Sequence, residues 1–174
     1  MTSAIPDGLE LVGSLVRLRP VQPGDEARLA AILAEPSVAR WWTAASEAGA
    51  AADWLAGEAA HFVIEHDGTI VGSLQVEQEF DPDYEFASLD LFLTSSAQGR
   101  GLGPDAIRAI SRYLIEDRGH HRLTIDPNVA NENAIRAYAK VGFRPVGVMR
   151  SYERNDDGTW HDNLLMDLLA GELR

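Results

Sequence analysis

The turn Gln98-Gly99-Arg100-Gly101-Leu102-Gly103 concentrates more ligand-binding chemistry than any other stretch of the chain. Glycines let backbone N–H groups come close to a ligand, and the N-terminus of a following helix favours anionic oxygens. Arg100 adds the capacity for charge-assisted hydrogen bonds. A phosphate or pyrophosphate is the natural guest, and a glycine-rich loop without a ligand is the alternative reading. A P-loop would end in Gly-Lys-Ser/Thr, and this turn has no lysine. The dinucleotide pattern G-x-G-x-x-G would need glycine at 104, where Pro104 stands.

Other residues carry a chemical and a structural reading side by side. Asn131 stands where a helix begins, so it is a candidate N-cap. Tyr138 lies at helical spacing and reads as a core aromatic. Glu77, Glu79, Asp81, Asp83 and Glu85 gather negative charge around one turn, and Gln75, Glu77 and Glu79 share a face by the period of 2. Asp90 reads as a strand carboxylate and Asp126 as a turn residue before Pro127. In the pair Trp41-Trp42, one ring suits the core and the other a ligand. His161, in Trp160-His161-Asp162, is more often structural than catalytic, and His120-His121 follow a helix end whose carbonyls they suit. No His/Asp/Glu grouping has metal-ligand spacing, so no metal is expected.

The elements that must position these groups follow from periodicity. Ser14 to Val21 alternates as a strand, Pro23 opens a helix to about Leu33, and Pro36 ends it. Ser37 to Trp42 reads as a short helix and the Ala-rich Ser46 to Ala59 as another. His61–His66 and Thr69–Gln78 are strands joined by Asp67-Gly68, a strong hairpin signal. Glu85–Leu93 is a strand, Gly103–Glu116 a helix, Arg122–Ile125 a strand, and Asn131–Val141 a helix stopped by Gly142. Phe143–Arg150 and Trp160–Leu168 close the chain around Asn155-Asp156-Asp157-Gly158. The predicted class is α/β (α+β): a mixed sheet of about seven strands flanked by about four helices in a single domain over 1–174.

Bulk properties narrow the partners. With 45% apolar residues, the 174-residue chain is globular. It has no cysteine, which excludes disulfides and a thiol nucleophile and suits a reducing cytoplasm. Asp and Glu number 27 against 15 Lys and Arg, a net charge of −12 that repels nucleic acid and anionic membranes and attracts cations. The N-terminus lacks the pattern of a signal peptide, and no apolar run approaches the roughly 18 residues of a membrane span. A cytoplasmic protein without nucleic-acid or membrane partners is expected.

Gln98-x-x-Gly-x-Gly resembles the acetyl-CoA signature of the GNAT superfamily of N-acetyltransferases. Asn131-Glu132-Asn133-Ala134-Ile135-Arg136-Ala137-Tyr138-Ala139-Lys140-Val141-Gly142-Phe143 resembles that family's second motif, at matching distance. The resemblance implies the GNAT fold, with its central sheet splayed in the middle between 85–93 and 122–125. It implies that the amides of Gln98, Gly99, Arg100, Gly101, Leu102 and Gly103 hold the pyrophosphate of acetyl-CoA. It further implies that Leu91, Phe92 and Leu93 present backbone to the pantetheine arm and that Asn131 bonds it. Tyr138 would protonate the departing thiolate.

Trp41-Trp42, Asp90 eight residues before Gln98, and Thr124-Ile125-Asp126-Pro127-Asn128 resemble aminoglycoside 6'-N-acetyltransferases. That closer resemblance implies Asp90 as the base and Asp126 as a substrate carboxylate. Gln75, Glu77, Glu79 and the tryptophans complete a site for a cationic amine, in a monomer or homodimer. Thr159 to Met166 is instead more similar to acetyltransferases of ribosomal-protein N-termini, siderophores and other small amines. A CoA-binding sensor without catalysis is a third possibility, opposed by the presence of both Asp90 and Tyr138.

Overall fold

The computed structural model describes residues 5–42, 51, 55, 59–155 and 157–174. Its strands are β1 (Leu11–Val12), β2 (Arg17–Pro20), β3 (Ala60–His66), β4 (Thr69–Glu79), β5 (Phe86–Leu93), β6 (Arg122–Ile125), β7 (Arg144–Arg154) and β8 (Trp160–Leu169). The helices are α1 (Glu26–Leu33), α2 (Pro36–Ala39), α3 (Leu102–Arg112), which widens into a π turn over Tyr113–Asp117, and α4 (Glu132–Val141). The strands form one eight-stranded sheet in the order β1-β2-β3-β4-β5-β6-β8-β7.

The eighth strand is β1, two residues long, and alternation cannot be read from two residues. Pro36 does not merely end α1: it occupies the first turn of α2, where its missing N–H costs nothing. α2 ends at Ala39, so Trp41 and Trp42 follow the helix instead of lying within it. The helix expected over Ser46 to Ala59 falls largely outside the described residues. Asp67 (φ 50°) and Gly68 (φ 72°) both take the left-handed conformation that a tight turn of this hairpin requires.

Strand alternation divides the apolar residues between two faces. On one, Leu74, Val76, Leu89, Leu91, Leu123, Ile125, Met166 and Leu168 pack with Ala106, Ile107 and Ile110 of α3 and Tyr138 and Val141 of α4. On the other, Phe92 and Val63 pack with Leu29, Ile32, Leu33 and Val38 from the α1–α2 segment.

The feature that positions the site lies at the middle of the sheet. β4 and β5 pair antiparallel along their length, from Gly72↔Leu93 to Glu79↔Phe86. β5 and β6 run parallel and share only Ala87↔Leu123 and Ser88↔Thr124. Beyond Ser88 the two strands part, so Leu89–Leu93 pair with β4 on one edge and not with β6 on the other. The side chain of Asp90 projects on the face of its register partner Gln75.

Candidate active site

A cavity of about 670 Å³ opens where β5 leaves β6. Its walls include Leu91, Phe92 and Leu93 from β5, Gln98, Gly99, Gly101 and Gly103 from the glycine turn, and Asn131 and Tyr138 from α4. The two motifs separated in sequence therefore meet around one space. This size and wall composition suit an extended small molecule.

The turn itself is built on backbone freedom. Gly99 (φ +72°) and Gly101 (φ +83°) are left-handed, and a Cβ on Gly99 would meet nothing within 4 Å. A side chain at Gly99 is thus opposed by conformation, not by a clash. Gly103 is different: a Cβ there would come within 3.4 Å of Leu93 Cδ1, so the glycine lets α3 approach β5 closely. At the start of α3, Leu102 and Gly103 bring N–H groups that helix geometry leaves without an intrahelical partner, while Pro104 has no N–H and the Asp105 N–H donates to the Gly101 carbonyl at 3.1 Å. Gln98 turns its side chain back, Nε2 donating to the Leu93 carbonyl at 3.0 Å. Leu102 is buried in the core, so what it offers a ligand is backbone. Arg100 reaches sideways to His66 Nε2 at 3.4 Å, and His66 Nδ1 donates to the Leu15 carbonyl at 2.7 Å.

Asp105 holds this corner. Its buried carboxylate accepts the backbone N–H groups of Ser14 (3.1 Å), Leu15 (2.7 Å) and Val16 (3.1 Å). The β1–β2 connection is thereby pinned to α3, with Leu15 Cδ1 3.8 Å from the position of a Cβ on Gly101. No local signal marks this role, because an acid in the first turn of a helix is expected from the dipole alone.

Asn131 caps α4, its Oδ1 accepting from the Ala134 N–H at 3.2 Å. The cap uses the carbonyl end only, so the carboxamide N–H₂ is the end suited to donate to a ligand. Tyr138 is 8% exposed and lies tilted against Phe143, ring centroids 6.5 Å apart. Burial, reinforced by the charges of Asp90 and Asp126, pushes its phenol pKa up, so the hydroxyl stays protonated.

The carboxylates gather at the open edge of β5. Asp90 Oδ1 accepts from the Leu91 N–H at 2.9 Å. Burial pushes the Asp90 pKa well above the ordinary carboxylate range, and the charges of Asp126, Glu153 and Glu77 push it the same way. Burial also raises Asp126, against the bond from Asn163 and with the charges of Glu153 and Glu77. Asn163, 3% exposed, is the hub: its Nδ2 donates to Asp126 Oδ2 and to Glu153 Oε2, both at 3.1 Å, and its Oδ1 lies 3.0 Å from His161 Nδ1. Tyr152 borders the group, its phenol pKa raised first by the charge of Asp126. Asn163, Glu153 and Tyr152 were not foreseen, since only the β7–β8 hairpin brings them here.

The remaining expected residues divide. Glu77 acts electrostatically on Asp90 and Asp126, and Gln75 stands in register with Asp90. Glu79 lies at the end of β4, its carboxylate accepting the Asp81 N–H at 2.9 Å to close the β4–β5 turn. Trp41 and Trp42 line the cavity with the glycine turn. Trp42 meets Phe92 edge-on at 5.5 Å, and Arg40 sits 4.4 Å over the Trp41 ring. His120 does meet a helix end, by its backbone N–H to the Leu114 carbonyl, while its buried ring faces Gln78 and Glu85.

Residues 16–144 match the acetyltransferase (GNAT) domain, and the chain belongs to that family. It is 35% identical over 74 residues to an aminoglycoside N(6')-acetyltransferase type 1 of Klebsiella pneumoniae, over 42% of this chain and 36% of that protein. The match thus spans about a third of the relative's length. Among solved structures, RimJ of Mycobacterium smegmatis, determined with CoA-disulfide, superimposes with a TM-score of 0.80 at 25% identity, covering 95% of this chain and 88% of that one. AAC(6')-Ib, determined with parmomycin and acetyl-CoA, superimposes with a TM-score of 0.75 at 26% identity, covering 91% and 97%. The mixed sheet, parted between β5 and β6, is the GNAT fold expected from the two motifs.

Proposed function

We propose that this chain transfers the acetyl group of acetyl-CoA to a primary amine of a polycationic acceptor, the 6'-amino group of an aminoglycoside. The observation that carries the reading is the grouping of Asp90, Asp126, Glu77 and Glu153 at the open edge of β5, beside the cavity walled by the glycine turn and Tyr138. Two half-buried carboxylates, Asp90 and Asp126, with exposed Glu77 and Glu153 acting on them, favour an acceptor with several ammonium groups. The likeness to an aminoglycoside-modifying relative supports the same choice.

The cavity fits acetyl-CoA in three respects: the helix-start amides of Leu102 and Gly103 for pyrophosphate, the stretch of β5 beyond Ser88 that β6 does not pair for an amide-bearing arm, and the Asn131 carboxamide beside it. Bound there, acetyl-CoA supplies an activated acyl group. Asp90 takes the proton that the acceptor ammonium must lose before its nitrogen can attack. As the new C–N bond forms and the C–S bond breaks, Tyr138 gives its proton to the leaving sulfur, and the second proton that the nitrogen sheds on becoming an amide restores the phenol. Backbone N–H groups at the parted edge of β5 polarise the thioester carbonyl. Holding both reactants in one cleft supplies much of the remaining acceleration.

Bacteria expressing the chain are expected to tolerate more kanamycin or tobramycin than controls, and the Asp90→Asn variant to give no protection. Unchanged susceptibility across aminoglycosides, together with acetylation of a peptide amine, would replace this acceptor with a protein N-terminus or another small amine, the class that Thr159 to Met166 resembles.

A further inference from the structure

Glu35 sits at the junction between the acceptor-side helix and the glycine turn. Its backbone starts α2: the Glu35 carbonyl accepts the N–H groups of Val38 and Ala39, both at 2.8 Å, and Pro36 follows it. Its side chain leaves the helix and crosses to the end of β5. There Oε1 accepts from Thr94 Oγ at 2.5 Å, and Oε2 accepts from the Ser95 N–H at 2.7 Å and from Ser95 Oγ at 2.6 Å. Thr94 is 4% exposed and is itself fixed to the sheet, its N–H donating to the Val71 carbonyl at 2.8 Å. Ser95 begins the short 3-10 turn Ser95–Ala97 that delivers Gln98 to the glycine turn. On the other side of Glu35, the chain continues from α2 into Trp41 and Trp42, which wall the same cavity.

This arrangement is costly unless it positions something. A carboxylate near a turn suited to phosphate works against an anionic ligand through its charge. Three short hydrogen bonds from residues about 60 positions away are therefore better explained by geometry than by attraction. Burial works against the ionised form of Glu35, but the bonds from Ser95 and Thr94 outweigh it and hold its pKa below the usual range. The clasp is thus fully charged at neutral pH, where its hydrogen bonds are strongest.

We propose that Glu35 is a positioning residue for the cofactor turn, holding the onset of that turn at Thr94 and Ser95 against the helix that carries the Trp41–Trp42 wall. The proposal rests on the reading of the turn as the acetyl-CoA site. Without the clasp the turn samples more conformations, and the apparent affinity falls by the fraction that stays competent.

The test is calorimetric titration of CoA, and of 3'-phosphoadenosine 5'-diphosphate, which carries the pyrophosphate but no pantetheine arm, into wild type and Glu35 variants. Glu35→Ala is expected to weaken both ligands by the same factor, about tenfold, corresponding to about 1.4 kcal/mol. Glu35→Gln keeps one acceptor oxygen and is expected to fall between. General loosening of the fold would cost CoA more than the fragment, because the arm at Leu91–Leu93 would lose contacts too, and that result overturns the proposal. So does unchanged affinity in Glu35→Ala. If Glu35→Ala does not fold, Glu35→Gln and Ser95→Ala, which removes one of the three bonds, are read by the same criterion. Failure of wild type to bind CoA would instead strike the acetyl-CoA reading itself.

Discussion

Asp90 on β5 and Tyr138 on α4 are coupled electrostatically across the opening between β5 and β6: after burial, the charge of Asp90 is the largest cause of the raised Tyr138 pKa. Under the proposed mechanism, the coupling separates the two proton-transfer roles. A carboxyl lifted toward neutrality is a stronger base than an ordinary aspartate, and a phenol held neutral keeps its proton for a thiolate. The environment that raises one group also keeps the other protonated, which suits the pair to the base and acid roles proposed for them.

Replacing Asp90 by Asn removes the base and relieves a crowded, desolvated charge. Turnover is expected to fall by about 10²- to 10⁴-fold, with CoA affinity essentially unchanged. Stability should move the other way. The folded-state pKa lies above the unfolded value of about 3.9, so the native state holds its proton as pH rises through that range and wild-type stability falls there. The penalty is complete above the raised pKa. Melting curves should therefore show Asp90→Asn gaining on wild type as pH rises above the ordinary carboxylate range. A pH-independent difference would contradict the raised pKa assigned to this half-buried carboxyl. The same raised pKa places the ascending limb of kcat/KM against pH above the ordinary carboxylate range.

Tyr138→Phe retains the ring packed on Phe143 and deletes only the hydroxyl. The variant should fold with little change in Tm and bind CoA as wild type does, while kcat drops by about 10²-fold, the low end of general acid–base effects. Chromatographic turnover assays at saturating acetyl-CoA measure this, and unaltered kcat would remove Tyr138 from the reaction.

Asp105→Ala strands three backbone N–H groups, those of Ser14, Leu15 and Val16. A loss of about 3 kcal/mol in unfolding free energy is expected from denaturant titration. CoA affinity should weaken too, because Leu15 no longer backs Gly101. A variant as stable as wild type would mean that water replaces the carboxylate without cost.

What could be read in advance was local. Asp67-Gly68, the glycine turn and the Asn131–Gly142 helix carry their structure within a few residues, and these three stand where their patterns placed them, whereas the short helix expected to reach Trp42 ends at Ala39. The carboxylate side of the site was half legible. Period-2 alternation put Glu77 on the face of Gln75, and the structure adds Asp90 to that face through the β4–β5 register. Glu79 has the same parity, yet it sits at the strand end and serves the turn. Asn163 and Glu153 reach Asp126 only because β8 lies between β6 and β7, a crossover that no local pattern announces. Glu35 and Asp105 bond residues about 60 and about 90 positions away, and nothing local distinguishes a single acid near a helix start from one placed there by the helix dipole.

The most direct test of the central claim is thiol release from acetyl-CoA by the purified chain, followed with a kanamycin-type acceptor and with its analogue bearing a hydroxyl in place of the 6'-amine. The account predicts steady CoA release with the amine and none above background with the hydroxyl analogue. Equal release with both, or none with either while a peptide amine is acetylated, would contradict it.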